Sequence, residues 1–309
     1  MDARDATYTT GYTTSSPTLL ICPLAVQAKN DAGADNSSFL PTFPLPARYF
    51  YASPCVPIYE HLMSTPNPLT PPSQSREFLA PVWHTVVLIL FVFATSSFQS
   101  RRMGHIENYH VTNRIALYSF TICFELILLA YVWFLGIRPT GTKFKEVIGG
   151  RWASARDVWR DIGVACLFWI VVVVFLVLSS HILGKNSEMN RVLQIIMPRG
   201  PLEMTVWVLL SISAGFCEEF VFRGYLQKQF FALTGSDAAA IAGQAVIFGA
   251  AHQYQGIKGM ISIAIYGALF GILAKVRNSL RPGMIQHVMQ DSTAGILLSL
   301  LSKYLPKPA

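Results

Sequence analysis

Residues 204–231 read MTVWVLLSISAGFCEEFVFRGYLQKQFF. The run opens as an apolar helix and then carries Glu218, Glu219 and Arg223 within six residues. At 1.5 Å per residue such a helix is long enough to cross a hydrocarbon core about 30 Å thick. One charged side chain near mid-span costs roughly 2.5–3.5 kcal/mol on insertion scales. Three on one helix are tolerated only where they face a polar, hydrated interior shared with other helices.

The neighbouring sequence supplies those helices. Apolar runs at 80–98, 115–137 and 162–183 precede residues 204–231, and Asp237–Ala251, 260–274 and 283–301 follow. The reading is an all-α polytopic transmembrane helix bundle of about seven to eight spans. The eighth requires the connection 138–160 to re-enter the bilayer. Only 13% of the 309 residues are charged and 52% are hydrophobic, whereas a soluble domain carries about 25% charge. A secreted disulfide scaffold, a nucleic-acid-binding domain and an ordinary cytosolic enzyme are thereby excluded. The net charge of +7 resides in connections, at Arg101-Arg102 and from 138 to 160, where cations meet anionic lipid headgroups. The five cysteines are scattered and give neither a disulfide framework nor a Cys-based zinc site.

Four regions follow. Residues 1–78 hold eleven of the eighteen prolines and no helix-period apolar pattern, so they read as a flexible Pro/Ser/Thr-rich tail, disordered because it buries too little apolar area. Met63 is an alternative start within it. Three membrane helices and their loops occupy 79–199, a tighter helix bundle 200–302, and a short C-terminal tail 303–309. In the second half, Pro201 and Pro282 suit first helical turns, Gly235 suits a helix end, and Ser236 or Asp237 the next N-cap. The small residues of Asp237–Ala251 and Gly267-x3-Gly271 let membrane helices approach closely.

The candidate site is where ionisable residues recur on apolar helices. His84 and His181 lie near span ends and read as interfacial anchors. Glu125, near the middle of its span, reads either as a carboxyl hydrogen-bonded within the bundle or as part of a substrate or proton path. Glu218, Glu219, Arg223, His252, His287 and Asp291 fall on the later helices and read as one converging cluster. Glu219 and Arg223 are four apart, acid first, the favourable order for an ion pair. Glu218 points about 100° away around the helix, free to enter a cavity. His287 and Asp291 are also four apart, so the acid can orient the imidazole. His252 shares a face with Phe248, which walls the pocket.

No serine or cysteine nucleophile stands in register. Cys217 points away from Glu218, and a thiolate beside two acids is disfavoured. A carboxylate with two imidazoles suits water activation, Glu218 taking a proton while a histidine shares it and the other stabilises an oxyanion. The same Glu218, His252 and His287 are an alternative ligand set for Zn2+. Both readings stand at this level.

Glu218-Glu219-x3-Arg223, Phe248-x3-His252 and His287-x3-Asp291 resemble, in order and spacing, the three motifs of the CAAX protease and bacteriocin-processing family. That family, CPBP or Abi, includes the type II CAAX prenyl endopeptidases. The resemblance covers about residues 200–300 and implies an all-helical intramembrane protease. It implies that Glu218 activates water together with His252, that Glu219 and Arg223 support it, and that His287 and Asp291 complete the oxyanion site. Prenyl endopeptidases usually have asparagine at the last position, whereas many bacterial relatives have aspartate. An ionised aspartate cannot donate a hydrogen bond, which weakens any transfer of prenyl-substrate specificity. The implied partners are the lipid bilayer and a membrane-anchored or lipidated peptide or protein, with no nucleic acid. The alternative is a non-catalytic binding or bacteriocin-immunity protein of the same fold. A proton-coupled transporter is disfavoured, because the cluster sits in one half without an inverted repeat.

Overall fold

The computed structural model describes residues 77–104, 113–184 and 186–301, all helix, turn or connection with no strand among them. Most of the expected N-terminal tail (1–76) and the C-terminal tail (303–309) lie outside these residues. Ten α-helices are described: α1 Val82–Gly104, α2 Arg114–Ala130, α3 Phe144–Ile148, α4 Ala155–Leu183, α5 Ser187–Ile196, α6 Pro201–Glu218, α7 Gln227–Thr234, α8 Asp237–Ala251, α9 Gly256–Arg277 and α10 Arg281–Leu301.

Two π-helical segments interrupt this α geometry. Tyr131–Ile137 continues α2, and Glu219–Leu226 joins α6 to α7. The expected span at 204–231 is thus one continuous rod, Pro201–Thr234. Among the described residues, five segments are long and apolar enough to cross a membrane: Val82–Arg102, Arg114–Thr140, Ala155–Leu183, Pro201–Thr234 and Gln253–Arg277. The chain is an integral, multi-pass membrane protein. Trp83, Leu90, Phe120, Ile182 and Val276 are exposed, as lipid-facing side chains would be. Two expected spans are not among the five. Asp237–Ala251 is only 15 residues long, and Arg281–Leu301 carries Gln286, His287, Gln290 and Asp291 along its length.

The connection 138–160 forms a 3₁₀ turn and the five-residue α3, too short to span. Its end is tied down by Asp161, which is fully buried. That carboxylate accepts from Trp152 Nε1 at 2.8 Å and pairs with Arg277 and Arg281, each at 3.2 Å. The turn between α9 and α10 is therefore locked to the start of α4.

Close packing in the second half follows its small residues. Gly235 turns the chain at φ 68°, and Ser236 caps α8 by accepting from Ala239 N. A Cβ at Gly215 would stand 2.7 Å from Val288 Cγ2, so α6 and α10 meet at their backbones there.

His84 corrects an expectation. It is fully buried, not an interfacial anchor. Its ring lies flat on Tyr131, with centroids 4.2 Å apart. With Nε2 facing the Tyr131 carbonyl at 3.4 Å, Nδ1 accepts from the Tyr225 hydroxyl at 2.7 Å. Thr85 and Gln229 extend the network. A position near a span end fits an inward-facing imidazole equally well when a second helix supplies partners.

Candidate active site

Glu218 is the last residue of α6, and the π-segment begins at Glu219. Glu219 and Arg223 are both buried. Arg223 Nη1 donates to Glu219 Oε1 at 2.9 Å and Nη2 to the Gly267 carbonyl at 3.1 Å. The guanidinium lies 4.3 Å from the Phe248 ring centroid and 5.0 Å from that of Phe270, a stacked environment that suits arginine better than lysine. The close approach needs Gly267, where a Cβ would lie 2.9 Å from Phe248 Cδ1.

His287, on α10, is buried beside this pair. Its Nδ1 lies 3.2 Å from Glu219 Oε1. Its Nε2 is 3.6 Å from Asp291 Oδ2 and 3.8 Å from Glu218 Oε2. Sequence spacing gave the orienting role to Asp291, but the hydrogen bond within range is the one Glu219 accepts from His287 Nδ1. Phe270 and Tyr266 pack edge-on against the ring, at 5.5 and 6.1 Å between centroids. The side chains of Glu218 and Asp291 are 23% and 36% exposed, against 1% for Glu219. Of the three carboxylates, then, Glu218 and Asp291 open outward and Glu219 is locked.

His252 terminates α8 one residue past its last helical position. Its Nδ1 donates to the Phe248 carbonyl at 2.8 Å, so in the neutral ring Nε2 keeps its lone pair. The turn is pinned from α1. Ser96 Oγ donates to the carbonyls of Ala250 and Ala251, at 3.0 and 2.8 Å, and Gln253 Nε2 donates to Ser97 Oγ at 2.8 Å. No ion pair within 4.0 Å links His252 to Glu218, but Asp291 lies within electrostatic reach of His287, Glu218 and His252.

Residues outside the quoted motifs also reach the cluster. Glu125 is buried on α2. It is hydrogen-bonded to Ser213 and within electrostatic reach of Glu218, His287 and Asp291. Its Oε2 has no protein partner. The sequence offered one signal for it, a lone acid at mid-span, and none for Ser96 or Ser97. Cys217 is buried, with Ser213 as its polar neighbour at 3.9 Å.

The residues do not fit the alternative zinc set. Among the described residues, no group of three or more His, Cys, Asp or Glu side chains converges so as to hold a metal ion. Glu218 and His287 approach one another at 3.8 Å, while His252 Nδ1 is bonded to the Phe248 carbonyl.

Residues 200–293 match the family model described as type II CAAX prenyl endopeptidase Rce1-like. No curated protein and no solved structure matches the chain.

Proposed function

From the match of residues 200–293 to the type II CAAX prenyl endopeptidase Rce1-like family model, we propose an intramembrane endopeptidase acting through water activated by Glu218 and His252. Its substrates are membrane-anchored or lipidated proteins, with prenylated CAAX-type termini as the class the family suggests. The observation that carries the reading is the division of labour between adjacent acids. Glu219 is buried and bonded to Arg223 and His287, while Glu218 is partly open.

In this mechanism water lies between Glu218 and His252 Nε2, both acceptors. Its oxygen attacks the scissile carbonyl carbon as Glu218 takes a proton. The carbonyl π pair moves onto oxygen, giving a tetrahedral oxyanion on the His287–Asp291 side. Collapse re-forms C=O and breaks C–N, and the amine leaves with the proton from Glu218. Glu219 and Arg223 position His287. The short α8 and the polar α10 also cross the bilayer in this reading, surrounded by the five longer segments, which complete the seven spans expected from the sequence.

Purified protein in liposomes, given lipidated peptides, tests the proposal. Cleavage by wild type and its loss in Glu218→Gln, with an unchanged melting temperature, is the expected result; cleavage by Glu218→Gln removes Glu218 as the base. A second reading, a non-catalytic binding or immunity protein, draws on the same buried Glu219–Arg223 pair, which staples three helices through Gly267 and His287. Under that reading, substitutions at Glu218 and His252 lower melting temperature in step with function.

A further inference from the structure

Three tyrosines are buried among the described residues: Tyr118, Tyr225 and Tyr266. The Tyr118 hydroxyl donates to the Ile196 carbonyl, and that of Tyr225 bonds with His84 and Thr85. The Tyr266 hydroxyl is buried with no hydrogen-bond partner. An unsatisfied buried hydroxyl is destabilising, and phenylalanine would fill the same ring site without that cost.

The position of this hydroxyl gives it a use. Tyr266 is on α9, its ring perpendicular to His287 and tilted against Phe270, with centroids 6.1 and 4.6 Å away. It lies within electrostatic reach of Asp291, Glu219, Arg223 and Glu218. An oxyanion forming there needs donors, yet Glu218, Glu219 and Asp291 only accept when ionised. Arg223 gives Nη1 to Glu219 and Nη2 to Gly267, and its buried Nε has no partner.

We infer that Tyr266 is a further catalytic residue, whose phenol donates a hydrogen bond to the oxyanion of the tetrahedral intermediate. The inference rests on the hydrolase reading above. The Tyr266 proton stays on its oxygen throughout. Water supplies the hydroxyl added to the carbonyl carbon, Glu218 carries the proton to the departing amine, and the phenol strengthens its bond as charge develops. The residue thereby supplies the neutral donor that an ionised Asp291 cannot.

Tyr266→Phe keeps the ring against His287 and Phe270 and removes only the oxygen. The experiment compares wild type, Tyr266→Phe and Glu218→Gln in liposomes, on a panel of farnesylated, palmitoylated and transmembrane-anchored reporter peptides, with melting temperature measured on each sample. The expected result is kcat lowered about 10²-fold in Tyr266→Phe with KM within about twofold, and a melting temperature equal to or above wild type. Wild-type kcat in Tyr266→Phe overturns the inference and leaves the hydrolase reading standing. Absence of cleavage by wild type across the panel, or cleavage that survives Glu218→Gln, overturns the hydrolase reading and the inference with it.

Discussion

Trp207 Nε1 donates a 2.8 Å hydrogen bond to the main-chain carbonyl of Asp291. The indole therefore holds the outer end of the site from three turns up α6. It occupies the space beside Gly295, where any Cβ would collide with the ring. Gly295→Ala is expected to push the indole aside and cost about 1–3 kcal/mol, as overpacking does. Thermal melting in detergent, with cleavage measured on the folded fraction, would register both losses. An unchanged melting temperature would show that the contact yields cheaply.

The Glu219–Arg223 pair invites a test of charge against geometry. Arg223→Leu leaves buried Glu219 without its guanidinium and with only His287 beside it, a loss of about 3–5 kcal/mol. Adding Glu219→Gln to Arg223→Leu removes the stranded charge, so the double variant is expected to melt above the single one. Arg223→Lys retains the charge but loses the planar stacking between Phe248 and Phe270. It is expected to fall between wild type and Arg223→Leu, and a melting temperature equal to wild type would show that charge alone suffices.

Glu125 separates two roles that its sequence position left open. Glu125→Gln preserves shape and the hydrogen bond to Ser213 while removing an exchangeable carboxyl proton near Glu218. If the carboxyl only braces α2 against α6, the amide keeps the brace, and melting temperature and turnover per folded molecule both hold. The expected outcome is slowed cleavage at unchanged stability, by less than the ~10²-fold typical of a direct acid or base. Reconstituted kinetics beside a melt decide between them.

His84 belongs to stability alone. Gly136→Ala would place a methyl 2.7 Å from His84 Cε1 and disturb the ring's stacking on Tyr131. A loss of about 1–3 kcal/mol is expected, with the rate per folded molecule retained. A drop in kcat without a drop in melting temperature would contradict this.

Much of the frame was legible because charge on an apolar helix is costly enough to be informative. The pairing of Glu219 with Arg223 follows from helical spacing alone, and the structure has it at 2.9 Å. The partners of His84, Glu125 and Asp291 were not legible, since periodicity orders residues around one helix and does not say which helices meet. The π-segments were equally hidden. A wider turn at 219–226 requires tertiary packing to stabilise it, and local composition gives no signal of that kind. α5, Ser187–Ile196, escaped for another reason: it is short and polar on one side, and a search for long apolar runs passes over it.

One oxygen carries more than a residue-by-residue survey would reveal. The Gly267 carbonyl, inside α9, accepts from Arg223 Nη2 at 3.1 Å and from Gln244 Nε2 at 2.9 Å. Three helical elements are thus riveted at a main-chain atom that every amino acid possesses. Side-chain scanning cannot delete it: Gly267→Ala would record only a collision with Phe248. Replacing the amide by an ester between residues 267 and 268 weakens that acceptor while leaving every side chain in place. Such backbone surgery also removes the Ala268 N–H, so the same exchange one turn along α9 serves as its control.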